Sequence, residues 1–174
     1  MEKSIYLDVD LCVGCGACAV ACMDQNDIYP EKGQVAVRRI HQVENGHFPT
    51  AAIFHVTAAC LHCEDAPCVI ACPTGAIAKD GNTGNVTTLR DLCIGCHSCA
   101  VACPFGVPRY DAEDKLQKCG GCGERVEAGL QPSCVRVCPT GALQFGVMND
   151  LQSNKEHLFA ATMVSAAHKI AAHG

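Results

Sequence analysis

Hydrophobic positions along this chain fall in short runs, and none approaches the roughly 18 consecutive apolar residues of a membrane span. Ile5 and Leu7 alternate with polar neighbours and predict a short strand. Short helices are predicted to start at Ala17–Gln25 and Ser98–Ala102. Ala76-Ile77-Ala78 and Asn85-Val86-Thr87-Thr88 flank the turn residues Asp80-Gly81-Asn82-Thr83-Gly84 and predict a β-hairpin. Gln34–Val43 and Phe48–Val56 flank Glu44-Asn45-Gly46, and the Asn-Gly pair predicts a second hairpin. This one can serve as a partner-facing arm or as a lid over a neighbouring site. Near the C-terminus, Ser153-Asn154-Lys155-Glu156 reads as a capping box. Phe159, Met163, Ala166 and Ile170 follow at helical spacing and share one face.

Composition changes the picture. The hydrophobic class makes up 49% of the 174 residues, but it includes 16 cysteines. Aromatic residues are 5% and tryptophan is absent, so the side chains that dominate core burial are scarce. Much of the stability is therefore expected from whatever the cysteines bind. The formal charge of −5 argues against a nucleic-acid binder, which needs cations for phosphate. Met1 to Tyr6 carry neither an apolar stretch nor a twin arginine, so no export signal is expected. The expected compartment is cytoplasmic, with export alongside a signal-bearing partner as the alternative. Cysteines in such a setting are better metal ligands than disulfide partners.

The cysteines form four groups of four. The first is Cys12, Cys15, Cys18 and Cys22; the second is Cys60, Cys63, Cys68 and Cys72. The third is Cys93, Cys96, Cys99 and Cys103; the fourth is Cys119, Cys122, Cys134 and Cys138. In C-x2-C-x2-C a short loop curls so that three thiolates reach different irons of one cubane. The fourth cysteine, three residues on, ligates the other cluster of a two-cluster unit. Proline follows Cys72, Cys103 and Cys138 and turns the chain after the distal ligand, whereas Met23 follows Cys22. Zinc sites instead pair two C-x2-C knuckles across a longer gap, and only the fourth group looks zinc-like alone. A zinc-stabilised interaction module is thus the rival from another class.

The chain also repeats itself. Asp10–Cys22 and Asp91–Cys103 are identical at 10 of 13 positions, and Cys72-Pro73-Thr74-Gly75-Ala76-Ile77 matches Cys138-Pro139-Thr140-Gly141-Ala142-Leu143. The second and third groups then form one two-cluster module, inserted between the first and fourth groups, which form the other. Gly14 and Gly95 sit between the first two ligands of their groups, either to admit a cluster closely or simply to make a tight turn. His62 and His97 lie inside ligand loops, where the cysteines already complete each set, and are read as supporting or exposed residues. No nucleophile–base constellation or nucleotide-binding glycine motif is present.

This order, number and spacing closely resemble the four-cluster ferredoxin-like electron-transfer subunits of molybdenum and tungsten oxidoreductases, over residues 4–146. The family includes the iron–sulfur subunits of dimethyl sulfoxide reductase and of formate dehydrogenases. The resemblance implies an α+β fold of two ferredoxin-like two-cluster modules, one inserted in the other, with short β-hairpins and a C-terminal helix. Residues 1–33 and 104–149 would form module A, 34–56 a hairpin insertion, 57–103 module B and 150–174 a helical tail. It further implies crossed ligand sets. Site 1 is Cys12, Cys15, Cys18 and Cys138; site 2 is Cys22, Cys119, Cys122 and Cys134. Site 3 is Cys60, Cys63, Cys68 and Cys103; site 4 is Cys72, Cys93, Cys96 and Cys99. Some relatives lack one cysteine of the third group and hold a three-iron cluster; here all are present, so four [4Fe–4S] clusters are expected, arranged in a line. The expected protein is not itself an enzyme. It relays electrons between a molybdenum or tungsten pterin catalytic subunit and a further redox partner. The alternative is a free-standing polyferredoxin or a hydrogenase-associated wire. The C-terminal helix is expected to pack on its own modules or to dock outward, including head-to-tail onto a second copy of the chain.

Each oxidised cubane with four thiolates adds two negative charges, about eight in all for four sets. Arg90, Arg109, Lys115, Lys118 and Arg136 lie near ligands in sequence and are candidates to compensate that charge or to meet an acidic partner.

Overall fold

A computed structural model describes residues 3–172, with only the backbone described at 158, 162 and 165–172. Strand β1 (Lys3–Leu7) is followed by helix α1 (Ala17–Gln25), strands β2 (Arg39–Asn45) and β3 (Ala52–Ala58), and helix α2 (Pro67–Ile70). Strands β4 (Ile77–Lys79) and β5 (Val86–Thr88), helix α3 (Ser98–Ala102) and strands β6 (Arg109–Tyr110) and β7 (Leu116–Gln117) come next. Helices α4 (Gly123–Glu127) and α5 (Ser133–Arg136), strand β8 (Leu143–Val147) and helix α6 (Met148–Ala172) complete the chain.

All strands pair antiparallel in two-stranded sheets: β1 with β8, β2 with β3, β4 with β5 and β6 with β7. The expected strand around Ile5 and Leu7 is β1, and its partner is the last strand of the cysteine-bearing region. Ile5 stands opposite Phe145 and Leu7 opposite Leu143. These four side chains pack with Cys18, Cys134, Val135, Cys138 and Ile40. Helix α1 rests on α5, while α2 rests on α3 and β4. The same arrangement therefore occurs twice, as two short helices over one two-stranded sheet. The second core holds Ala76, Ile77, Val86, Leu116, Cys93 and Cys99.

The expected helices at Ala17–Gln25 and Ser98–Ala102 and the β4–β5 hairpin form as read. In the hairpin turn, Asp80 Oδ1 accepts the Asn82 and Thr83 amides at 2.9 and 2.7 Å, a side-chain substitute for backbone turn bonds. Two expectations need correction. The β2–β3 hairpin does not close through Asn45-Gly46 alone, because Asn45 pairs with Ala52 and the turn spans residues 46–51. Pro49 lies in that span and has no N–H for a ladder, and Thr50 N–H turns back to His47 O at 2.7 Å. The C-terminal helix begins at Met148, directly after β8, and not at Ser153. Asp150 in its first turn suits the helix dipole. Lys155, read as part of a cap, instead bonds Asp8 Oδ2 at 2.5 Å.

That contact ties the start of α6 to the β1–β8 sheet, on which the helix packs. Asp8 is buried, its own amide donates to Ala142 O at 2.8 Å, and its Oδ1 accepts the Asp10 amide at 3.2 Å. Further along, Phe159 and Met163 are exposed, while the side chains of Ala166 and Ile170 lie outside the described residues. The hydrogen bond from Lys155 holds the Asp8 carboxyl below its ordinary value against burial, and the Asp10 amide adds to it. A depressed carboxyl contributes stability that is complete above its unfolded value, near 3.9, and is lost as pH falls through the folded value. The pair is therefore intact at neutral pH. Lys155→Met is expected to speed amide exchange across residues 149–156 at pH 7 while leaving iron content unchanged; unchanged exchange would show that apolar packing alone docks the helix.

Candidate metal centres

The loop Cys12–Cys18 leads into α1, and Gly16 in the left-handed region (φ 80°) caps that helix. The equivalent loop Cys93–Cys99 leads into α3 through His97, also left-handed at φ 60°. Gly14 and Gly95 both have positive φ, 67° and 69°. A Cβ on Gly14 would lie 2.2 Å from the His55 ring, and one on Gly95 would lie 2.7 Å from Asp114 O. The two glycines thus make left-handed turns and admit a neighbouring hairpin close to each loop.

The structure brings the cysteines together across the sequence. One cavity, with about 290 Å³ of atom-free space including its mouth, is lined by Cys72, Cys93, Cys96 and Cys99 together with Ile77 and Leu116. Another, of about 340 Å³, is lined by Cys12, Cys15, Cys18 and Cys138 together with Ile40 and Leu143. Each takes three thiols from one loop and one from a distant Cys-Pro turn. The remaining groups are read from the fields the thiols feel. Burial pushes the Cys22 thiol up to about 12; Cys119 adds to the rise, Arg38 opposes it, and Cys134 and Cys122 add further. Burial likewise raises Cys68, with Cys60 and Cys103 among its neighbours. Cys63 packs on the same core as Cys68. Cys15 and Cys96 are exposed, whereas Cys18, Cys22, Cys93, Cys99, Cys119 and Cys134 are buried.

Among the described residues, no three His, Cys, Asp or Glu side chains converge on a single metal-ion position. The thiols wall cavities instead. Donor chemistry and placement suit an iron–sulfur cube, whose irons are reached separately from several sides, and such a group when bound supplies one-electron chemistry.

The surroundings supply hydrogen-bond donors to sulfur. Leu116 N–H points at Cys93 Sγ (3.4 Å) and Gly121 N–H at Cys119 Sγ (3.4 Å). Asn26 Nδ2 lies 3.6 Å from Cys22 Sγ. The hydroxyls of Tyr110 and Thr57 stand 3.0 Å from Cys99 Sγ and 3.5 Å from Cys18 Sγ. In the repeated Cys-Pro-Thr-Gly turns, Thr74 and Thr140 sit 3.7 and 3.8 Å from Cys72 and Cys138. Burial raises both of those thiols, but hydrogen bonds from the turns outweigh it and hold them below the ordinary value.

The two loop histidines do not complete a ligand set. His97 stacks on Tyr110 with ring centres 3.8 Å apart and bonds Asp114 at 2.7 Å. His62 Nδ1 accepts the Val86 amide at 2.9 Å, and burial, with nearby Lys118, Arg38 and Lys79, lowers its value to about 4. Three of the cations singled out by sequence hold protein groups. Arg90 pairs with Asp111 and Glu113, Lys115 Nζ bonds Cys93 O at 2.5 Å, and Lys118 Nζ bonds the carbonyls of Val86 and Cys119. Sequence reasoning missed Arg38, Thr57 and Tyr110. They lie outside the cysteine motifs, and only tertiary contact places them beside sulfur.

Two family models, both described as 4Fe-4S dicluster domains, match residues 51–148 and 11–77. An anaerobic dimethyl sulfoxide reductase chain from Escherichia coli is 36% identical over 96% of this protein and 84% of its own length. The protein belongs to this family of ferredoxin-like iron–sulfur subunits. Within the family, a sulfite dehydrogenase subunit from Allochromatium vinosum is 37% identical over 87% of this protein and 71% of its own length. The iron–sulfur subunit of the nitrate-inducible formate dehydrogenase from Escherichia coli is 39% identical over 86% of this protein and 56% of its own length. Two dicluster domains and sixteen cysteines fit four [4Fe–4S] clusters.

Tyr110→Phe keeps the ring against His97 and removes the hydroxyl at Cys99. Losing one hydrogen bond of about 1 kcal/mol to the reduced form is expected to lower one cluster potential by roughly 40 mV. A redox titration followed by magnetic resonance reads this shift, and an unshifted potential would show that the hydroxyl does not act on sulfur.

Proposed function

We propose that this chain is a non-catalytic electron-transfer subunit carrying four [4Fe–4S] clusters. It relays single electrons between a molybdenum or tungsten pterin catalytic subunit and a further redox partner. The observation that carries the reading is the crossing at two cavities, where Cys138 joins Cys12, Cys15 and Cys18, and Cys72 joins Cys93, Cys96 and Cys99. The fields at Cys22 and Cys68 support the corresponding sets Cys22/Cys119/Cys122/Cys134 and Cys60/Cys63/Cys68/Cys103. The two ends of the chain form module A and residues 57–103 the centre of module B; the β1–β8 and α1–α5 contacts support grouping the ends, while β6–β7, within the 104–149 span expected for module A, packs through Tyr110 and Leu116 on the module B core. The residues of this chain hold the sulfurs, exclude water with Ile40, Ile77, Leu116 and Leu143, and donate hydrogen bonds that tune each site. The relatives' names span different reactions, so the reaction is set by the catalytic partner.

No helix among the described residues is long and apolar enough to cross a membrane. On this reading the subunit works in the cytoplasm, where its thiols stay reduced until loaded. Helix α6 is an assembly element. Lys155 anchors its start, and exposed Phe159, Met163 and Val164 are of the kind that interfaces favour. Its acceptor is the catalytic subunit or a second copy of this chain, head to tail.

Anaerobically purified protein is expected to hold about 16 iron and about 16 sulfide per chain. Cys138→Ala is expected to damage the cluster of Cys12, Cys15 and Cys18, and Cys134→Ala the other cluster of that module. Stoichiometric zinc without sulfide, or loss of the same magnetic signal in both variants, would overturn the assignment. Deleting residues after Asp150 is expected to leave iron content and spectra intact while shrinking the native complex; an unchanged complex mass would remove α6 from assembly.

A further inference from the structure

Arg38 is buried, 4% exposed. Its Nη1 donates to Thr57 Oγ1 at 3.1 Å, and its buried Nε has no partner. Among the described residues no carboxylate pairs with it. A guanidinium stays protonated at any working pH, and a buried charge without a counter-charge is costly. The groups around it show what the counter-charge is. Thr57 Oγ1 leads on to Cys18 Sγ at 3.5 Å. The charge of Arg38 also acts on Cys22 and Cys134, opposing the rise that burial causes in both thiols. Arg38 therefore stands beside sites 1 and 2, and its charge also reaches His62 in the Cys60–Cys63 loop of site 3. Asp8, also buried, has its cation in Lys155.

We propose that Arg38 is the internal counter-cation of sites 1 and 2 and raises their reduction potentials relative to site 4. The inference rests on the four-site reading above. An electron that enters site 1 or 2 leaves a neighbouring site or the external reductant, so one site gains a negative charge as the donor loses one. No proton moves, because Arg38 is already charged. The fixed cation favours the extra negative charge at the two sites it faces. Arg38 itself lines neither cavity, but Thr57, which it holds, lines that of site 1 and not that of site 4. Thr57 transmits part of the effect: with its lone pair engaged by Arg38, its hydroxyl hydrogen is free to point at Cys18.

The test is a dithionite titration of the anaerobically purified whole chain, followed by magnetic resonance, in wild type, Arg38→Gln and Arg38→Lys. Gln keeps a donor for Thr57 and removes the charge; Lys keeps the charge and loses the fork. In Arg38→Gln, the one-electron waves of sites 1 and 2 are expected to move to lower potential while that of site 4 stays. Electron sharing with the unmoved waves should change at least tenfold, which is about 59 mV for one electron. Arg38→Lys is expected to keep wild-type waves and full iron. Movement of all four waves, of none, or an equal movement in Arg38→Lys overturns the proposal. If Arg38→Gln assembles less iron, Arg38→Lys decides: full iron with wild-type waves sustains the counter-cation, and the same loss of iron overturns it. A wild-type protein without four clusters overturns the four-site reading itself, whereas a full wild type with unmoved waves in Arg38→Gln overturns this inference alone.

Discussion

Bringing thiols from distant parts of the chain together around shared cavities, inside a protein with little else to bury, is the constraint on which the rest depends. Val86 and Pro132 are the largest side chains that are almost wholly enclosed among the described residues, and cysteines make up much of each core. Burying a thiolate in such surroundings is unfavourable, which is why the Cys22 and Cys134 thiols are raised. A bound metal reverses that preference by favouring the ionised sulfur. Loading and folding are then linked, as in other small metal-held domains. The short strands and four- to nine-residue helices are too brief to be stable alone, and several carry or directly flank the cysteines.

The duplication is visible in the backbone and then departs from symmetry at one informative place. Cys18 and Cys99 are equivalent positions of the repeat, and each faces a hydroxyl. One hydroxyl is Thr57 at the base of the β2–β3 hairpin; the other is Tyr110 in β6. Neither segment belongs to the repeated motif. The repeat therefore supplies the sulfurs and the turns, while segments outside it supply different donors to the same position. The Thr74 and Thr140 contacts, by contrast, are inherited with the Cys-Pro-Thr-Gly turn and are alike in both copies.

This separates what was legible in the sequence from what was not. Local signals served well: the helices at Ala17–Gln25 and Ser98–Ala102, the Asp80–Gly84 turn and the β1 alternation all have local causes. Long-range events were hidden. The β2–β3 register is decided by pairing over seven residues, so an Asn-Gly signal at one end misplaced the turn. The capping box at Ser153 was overruled because the chain was already helical from Met148 and Lys155 had a buried partner 147 residues away. Tyr110 and Arg38 carried no motif at all, since their meaning lies in contacts with sulfur or its neighbours.

The β2–β3 hairpin covers a cysteine cavity at its base and leaves its far end exposed. At its base, Ile40 and Thr57 line the cavity of Cys12, Cys15, Cys18 and Cys138, and His55 lies against the Gly14 turn. Arg38, just before β2, is buried there too. At its far end Val43, Phe48 and Ile53 are exposed, Phe48 at 95%. Sequence proximity pointed to Arg90, Arg109, Lys115, Lys118 and Arg136 as candidate compensating cations; Arg90 and Lys115 are engaged by carboxylates and a carbonyl, while Lys118, bonded to two carbonyls, also opposes the rise of the Cys68 thiol. The buried cation comes instead from the segment that joins the first cysteine group to the hairpin. A chain that needs to hold extra negative charge inside gains most from a cation that water cannot screen. Burial supplies that condition more fully at Arg38 than at half-buried Lys115 and Lys118 or exposed Arg90.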